Sequence, residues 1–293
     1  MRNLSVLAID QFRIDQPSNA FYANSFAEHL AKHSDKISTP HKHDFYLVVI
    51  ITRGVGVHEV DFRSYDVKAG SVFMLGPGAT HNWELSQDIE GYIFFHTREF
   101  FDVKFGGRKV DDFPFYFSVQ NSPVVYLGKK ECIELVYYFK AIFKEYSDKN
   151  LMKWQKIAAL VDLVYIQISR TYAGEAWIES KANMGYALKM RELEVMINQH
   201  FLVEKSPSVY AGKMNMSSKH LNRIIKSLVN KTVTDIIADR VLLEAKRMLI
   251  HSDIRIAELA DKLGYEDCSY FSRLFKRRCG LSPKEFREGY NRG

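Results

Sequence analysis

The sequence predicts two domains: a mostly β N-terminal domain closed by helices, and an all-α C-terminal domain. Three observations carry this. Short strand-like segments recur to about residue 127, the apolar period turns helical from about Lys129, and the last third writes one helix-turn-helix pattern twice. A length of 293 residues fits two domains. A hydrophobic fraction of 46% against 26% charged residues is enough to bury a core in each.

Met1 to Asp10 holds one Arg and too short an apolar run for a secretion signal. Cys132, Cys268 and Cys279 are odd in number and lack metal-type spacing, which suits a reducing cytoplasm and no disulfide framework. Phe45 to Thr52 is rich in β-branched and aromatic residues, and its apolar run is too short to span a bilayer. Arg53-Gly54-Val55-Gly56 reads as a hairpin turn leading into Val57–Phe62. Tyr65–Gly70 leads into Ser71–Leu75, Gly76-Pro77-Gly78 turns the chain before His81, and Gly91–His96 is a further strand. Short strands at this spacing predict a sandwich or barrel.

His41 and His43 are two residues apart, so on a strand both point to one face, and His81 can join them. Three imidazoles are enough for a metal, but Asp44 to Thr52 contains no Glu and Asp44 points away from His43. The expectation is therefore a pocket in which these imidazoles hydrogen-bond a ligand or each other, with no metal or cofactor. Tyr46, Trp83 and Tyr92 are expected to line it and to stack on a sugar or an aromatic compound, although each singly also suits a core. No Ser/His/Asp or Cys/His constellation and no phosphate-cradling glycine loop is present, so no catalytic residue is assigned.

From Lys129 to Tyr172 two helices are expected. Cys132, Val136, Phe139 and Phe143 share one face of the first; Trp154, Ile157, Ala158, Val161, Tyr165 and Ile168 line the second. Residues 174–184, poor in strong apolar positions, read as a linker. The predicted division is 1–173 (strands to about 127, helices 129–172), the linker, and 185–293.

In the last third, Ile256, Leu259, Ala260 and Leu263 form one apolar face, and Gly264 supplies a left-handed turn. Asp267 can cap a second helix packed through Phe271, Leu274 and Phe275. Upstream, Ala211 matches Ala260, Met214 matches Leu263, Asn215 stands for Gly264, and Ser217 is the capping residue. Leu221, Ile224, Ile225 and Leu228 are the apolar face there. A helix carrying Val241, Ala245 and Met248 would join the two units. Charge is distributed accordingly. From Gly185 onward 20 basic residues face 13 acidic ones, a net +7, whereas the remainder carries 21 against 22. A positive field confined to the helical domain fits a polyanionic partner.

The stretch Arg240–Arg287 resembles the C-terminal signature of the AraC/XylS family of bacterial transcription regulators, and the likeness extends over roughly residues 185–293. More loosely, Pro40-His41-Lys42-His43, Gly70, Pro77-Gly78 and His81 resemble a cupin barrel, the sensor domain common at the N-terminus of that family. The resemblance implies a cytoplasmic, DNA-binding regulator, more often an activator. It would act on promoter DNA with RNA polymerase, answer a small-molecule effector, and dimerise, often through helices packed on the barrel. Positions matching the family's base-contacting phase are Lys219, Asn222 and Arg223, then Ser269, Ser272 and Arg273; Lys226 and Lys276 are better placed as phosphate anchors. Two other classes remain open on the residues: a metal-dependent cupin enzyme localised by its DNA-binding domain, and a ligand-independent DNA-binding dimer.

Overall fold

A computed structural model describes residues 6–12, 20–37, 39–104, 109–116, 121–178 and 181–290. The chain divides into two compact units, Leu4–Glu179 and Ser180–Gly293, apart from its first three residues.

The first unit holds ten strands among its described residues: β1 (Val6–Leu7), β2 (Phe21–Ser25), β3 (Lys42–His43), β4 (Tyr46–Arg53), β5 (Gly56–Val60), β6 (Arg63–Val67), β7 (Ser71–Leu75), β8 (His81–Leu85), β9 (Glu90–His96) and β10 (Val124–Tyr126). A five-stranded sheet in the order β10-β7-β4-β9-β2 faces a three-stranded sheet in the order β6-β5-β8, and β1 pairs in parallel with β3. The helices are α1 (Phe26–Ile37), α2 (Arg98–Lys104), α3 (Lys129–Ser147) and α4 (Lys153–Ile178).

β4 is the central strand, buried on both faces, which is why its sequence is continuously apolar. Its residues alternate. Leu47, Val49 and Ile51 pack with Val60, Val67, Phe73 and Phe95 between the sheets. Tyr46, Val48 and Ile50 pack against Leu135, Phe139 and Ile142 of α3 and Ile157, Val161 and Tyr165 of α4.

Three local expectations change. Arg53–Gly56 is not a hairpin: β4 pairs with β7 and β9, while β5 pairs with β6 and β8, so this turn carries the chain from one sheet to the other. The tight hairpin is β5–β6, turned by Asp61 and Phe62 with φ of 47° and 65°. Residues 26–37 form α1, whose buried side is Phe26, His29, His33 and Ile37; the period was hidden because two of the four are histidines. The expected linker at 174–184 is largely taken up by the end of α4 and the start of α5, with Glu179 and Ser180 outside the described residues. Ala176, Ala182 and Met184 are good helix formers, so a tract poor in core positions still keeps helical backbone.

The second unit is helical: α5 (Lys181–His200), α6 (Pro207–Lys213), α7 (Ser218–Val229), α8 (Val233–His251), α9 (Ile256–Lys262), α10 (Cys268–Cys279) and α11 (Pro283–Tyr290). One core unites them, with Leu193, Tyr210, Leu221, Ile225, Val241, Ala245, Leu259, Phe271 and Phe275 all buried. No described helix in either unit is long and apolar enough to cross a membrane.

Candidate nucleic-acid interface and barrel interior

Helix α6 and α7 form one helix-turn-helix, α9 and α10 the other, and their turns match bond for bond. After α6, Asn215 takes φ +54°, its N–H donates to Gly212 O, and Met216 N–H donates to Ala211 O at 2.9 Å. After α9, Gly264 takes φ +76°, its N–H donates to Asp261 O, and Tyr265 N–H donates to Ala260 O at 2.9 Å. This paired closure satisfies the last carbonyls of a helix and needs one left-handed residue. Gly264 has a second reason to be glycine: a Cβ there would lie 1.9 Å from Leu202 O. Each second helix is then capped from its first turn, by Ser217 Oγ accepting from His220 N–H and by Asp267 accepting from Ser269 N–H. Both end on a left-handed residue, Asn230 and Gly280.

With the apolar faces buried (Leu221, Ile224 and Ile225; Phe271, Leu274 and Phe275), the opposite faces of α7 and α10 carry the predicted polar residues. Lys219, Arg223, Lys226, Ser269, Arg273 and Lys276 are exposed, and Ser272 is half-buried. Among the described residues Lys219, Arg223 and Lys226 make no ion pair. Arg273 lies 3.8 Å from Asp267, but both side chains are largely in solvent, so this pair holds the guanidinium weakly.

Asn222 is different. Its Nδ2 donates to Ser218 O at 3.0 Å and its Oδ1 accepts from Val233 N–H at 2.9 Å. A bidentate adenine contact needs both ends of the amide at once, and here both are engaged inside the protein. For the expected base-reading role this leaves the second amide N–H and the second oxygen lone pair; within the protein the residue fastens α7 to α8.

The predicted pocket residues divide between two faces of the five-stranded sheet. His41, His43, His81 and Trp83 gather between the sheets. His41 and His81 exchange backbone hydrogen bonds, and their rings lie 4.4 Å apart. His58 belongs with them: its Nε2 is 3.0 Å from His81 Nδ1, and its ring stacks on Trp83 at 3.3 Å. Sequence reading missed it, although His58 shares the phase of Val60 on its strand. Tyr46 and Tyr92 lie on the far face, against the helices. Tyr46 stacks on His96 and accepts from Arg98 Nη2 at 2.6 Å, and Tyr92 packs toward Phe143. Strand parity separates them, since Tyr46 is out of phase with Phe45 and Leu47, and Tyr92 with Ile93.

The interior imidazoles are neutral. Burial pushes His43 down to about 3, and His58 and His81 well below the ordinary histidine range; His41 is lowered for the same reason. His41 and His43 donate Nδ1–H to Thr39 O and Phe45 O at 2.9 and 2.7 Å, so each Nε2 keeps a lone pair. His43 Nε2, His81 Nε2 and His58 Nδ1 are buried without a hydrogen-bond partner, acceptors or donors for a guest molecule. Among the described residues no group of His, Cys, Asp and Glu is arranged to hold a metal ion.

Comparison with known proteins divides the chain in the same way. Residues 25–97 match the family model described as AraC-like ligand binding domain, and residues 210–289 match the helix-turn-helix domain model. The chain is similar to the HTH-type transcriptional activator RhaS of Enterobacter sp. (strain 638), 22% identical over 256 residues that make up 85% of this chain and 87% of that protein. RhaS of Citrobacter koseri is 23% identical over the same shares. Among solved structures ToxT of Vibrio cholerae covers 92% of this chain and 98% of its own, at 12% identity and a TM-score of 0.43. The RhaS relatives are transcription regulators rather than enzymes. The chain belongs to the AraC family of DNA-binding transcriptional regulators, a cupin-like ligand-binding domain followed by a double helix-turn-helix.

Proposed function

We propose that this regulator is a ligand-responsive activator that reads two successive major-groove segments, one with α7 and one with α10. The observation that carries this is the duplication itself. Two helix-turn-helix units share turn conformation, capping and burial phase, and each presents a basic residue at the same position, Arg223 and Arg273, with Lys226 and Lys276 one turn further on. Two recognition helices on one rigid body suit grooves about one helical turn of DNA apart. Lys219, Arg223, Ser269, Ser272 and Arg273 are the base readers, with Arg to guanine the favoured pairing; Lys226 and Lys276 hold phosphates. The domain division proposed is 1–173 for sensing and dimerisation and 185–293 for DNA, with RNA polymerase as the downstream partner. The sign of regulation is taken from the RhaS relatives, which are activators.

The effector occupies the barrel interior beside His41, His43, His58, His81 and Trp83. Neutral imidazoles carry no charge; His41 and His43 offer lone pairs and the His58–His81 pair offers one donor and one acceptor, which favours a neutral hydroxylated molecule, a sugar or a phenolic ring. Its binding changes regulation only if it favours one arrangement of the regulator over another. Support for a homodimer comes from large apolar side chains left exposed on the barrel's helices, Ile133 and Tyr137 one turn apart on α3 and Leu163 on α4.

Selection of bound fragments from the host genome tests the function, using wild type and the Arg223→Ala/Arg273→Ala double variant in parallel. Enrichment of a few promoter fragments, lost in the variant, is the expected result. Weak, salt-sensitive enrichment of all fragments, equal in both proteins and unmoved by sugars or phenolics, would reject specific regulation.

A further inference from the structure

We propose that the first turn of α8 is the joint that fixes the angle and spacing between the two recognition helices, with Asn222, Asp235 and Arg278 as its positioning residues. Both recognition helices are tied to this one turn. From α7, the Asn222 carboxamide accepts from the N–H of Val233, the first residue of α8, and is itself oriented by Ser218 O. From the last turn of α10, Arg278 Nη2 donates to Asp235 Oδ1 at 2.6 Å.

Asp235 is bound on both oxygens. Its Oδ2 accepts from Thr232 N–H at 2.8 Å and from the Thr232 hydroxyl at 2.6 Å, and its own N–H donates to Thr232 Oγ1 at 3.1 Å. One carboxylate therefore closes the cap of α8 and anchors α10 in the same geometry. The Asp235 and Arg278 side chains are 26% and 31% exposed, so the pair is only partly shielded from water. Arg278 differs in this from Arg273, whose side chain is 70% exposed.

Fixing both helices on one turn locks them in phase. One base pair inserted between the two contacted segments rotates the second by about one tenth of a turn. A rigid reader cannot follow that rotation; a loosened one can. This rests on the two-segment reading proposed above, and the test separates the two.

The probe is a duplex selected by wild type from a random-sequence library, with two derivatives carrying one base pair added or removed between the protected segments. Affinity is measured for wild type, Arg278→Ala, Arg278→Lys and Asp235→Asn, with thermal unfolding of each to confirm folding. Wild type should lose about tenfold or more on the altered spacings. Arg278→Ala and Asp235→Asn should bind the parent duplex more weakly but lose only about threefold or less on the others, with Arg278→Lys intermediate. Folded variants that keep the full spacing penalty would overturn the joint. So would uniform weakening by Arg278→Ala with a salt slope reduced by about one, which would assign Arg278 to a phosphate. A wild type indifferent to spacing would overturn the two-segment reading, and the joint with it.

Discussion

Substituting Gly264 by Ala isolates the turn of the second helix-turn-helix. Two costs add. The residue sits at φ +76°, where a Cβ costs about 1–2 kcal/mol. The added Cβ would also lie 1.9 Å from Leu202 O and 2.7 Å from Lys205 Nζ. The lysine tip can swing away, but Leu202 O is backbone, and making room for a methyl group in a packed site costs about 1–3 kcal/mol. The sum is about 2–5 kcal/mol against the second unit. Asn215→Ala, at φ +54° in the first turn, is the control and should cost about 1 kcal/mol. Denaturant unfolding of the full chain resolves the effect, because Trp83, Trp154 and Trp177 all precede residue 180. Tryptophan fluorescence follows the first unit, and circular dichroism follows helix in both. Gly264→Ala should shift the dichroism transition and leave fluorescence in place. A shift no larger than that of Asn215→Ala would refute the close approach, and one under about 0.5 kcal/mol would refute the strained left-handed turn as well.

Arg273→Ala should cost about 1–3 kcal/mol of specific binding and relax preference at one base position, whereas Lys226→Ala should weaken all sequences alike and lower the salt slope by about one; binding to a set of single-base variants separates them. Asn222→Ala should cost about 1 kcal/mol of stability by freeing the Val233 N–H and leave base preferences unchanged, as a melting curve and the same duplex set would report. In the first unit the folded state holds His43 near 3, below the unfolded value of 6.5, so the unfolded chain binds more protons between them. That stability is complete above about 6.5 and falls as pH drops, by up to about 1.4 kcal/mol per pH unit for each such imidazole; a fluorescence-detected stability flat from about pH 7 to about pH 4 would contradict neutral burial. Asp235 is held down to about 2 by hydrogen bonds from Thr232 and then Arg278, so the second unit keeps that contribution above about pH 4 and loses it on acidification toward about pH 2, measurable by circular dichroism.

The helical half was the more legible because its signals are local. Gly264, Asn215, Ser217 and Asp267 act within one turn of themselves, and their spacing alone announces turn, cap and face. What could not be read there was tertiary: Asn222 finds its partner eleven residues on, across a turn, and Arg278 reaches Asp235 from a different helix. In the β half, strand existence was plain from Phe45–Thr52 and Ser71–Leu75, but pairing was not. The Gly54 turn looks like a hairpin until β4 is seen to be filled on both edges by β7 and β9. Strand parity did carry the separation of Tyr46 and Tyr92 from His43 and Trp83, and it would have brought in His58. Grouping aromatics by composition discarded that information.

Hydroxyl-radical footprinting of wild type on a selected duplex tests the central claim most directly. Two recognition helices locked on one body should protect two patches on one face of the duplex, about one helical turn apart, with Arg223→Ala weakening one patch and Arg273→Ala the other. A single patch, or even protection that fades uniformly with salt and ignores both substitutions, would contradict it.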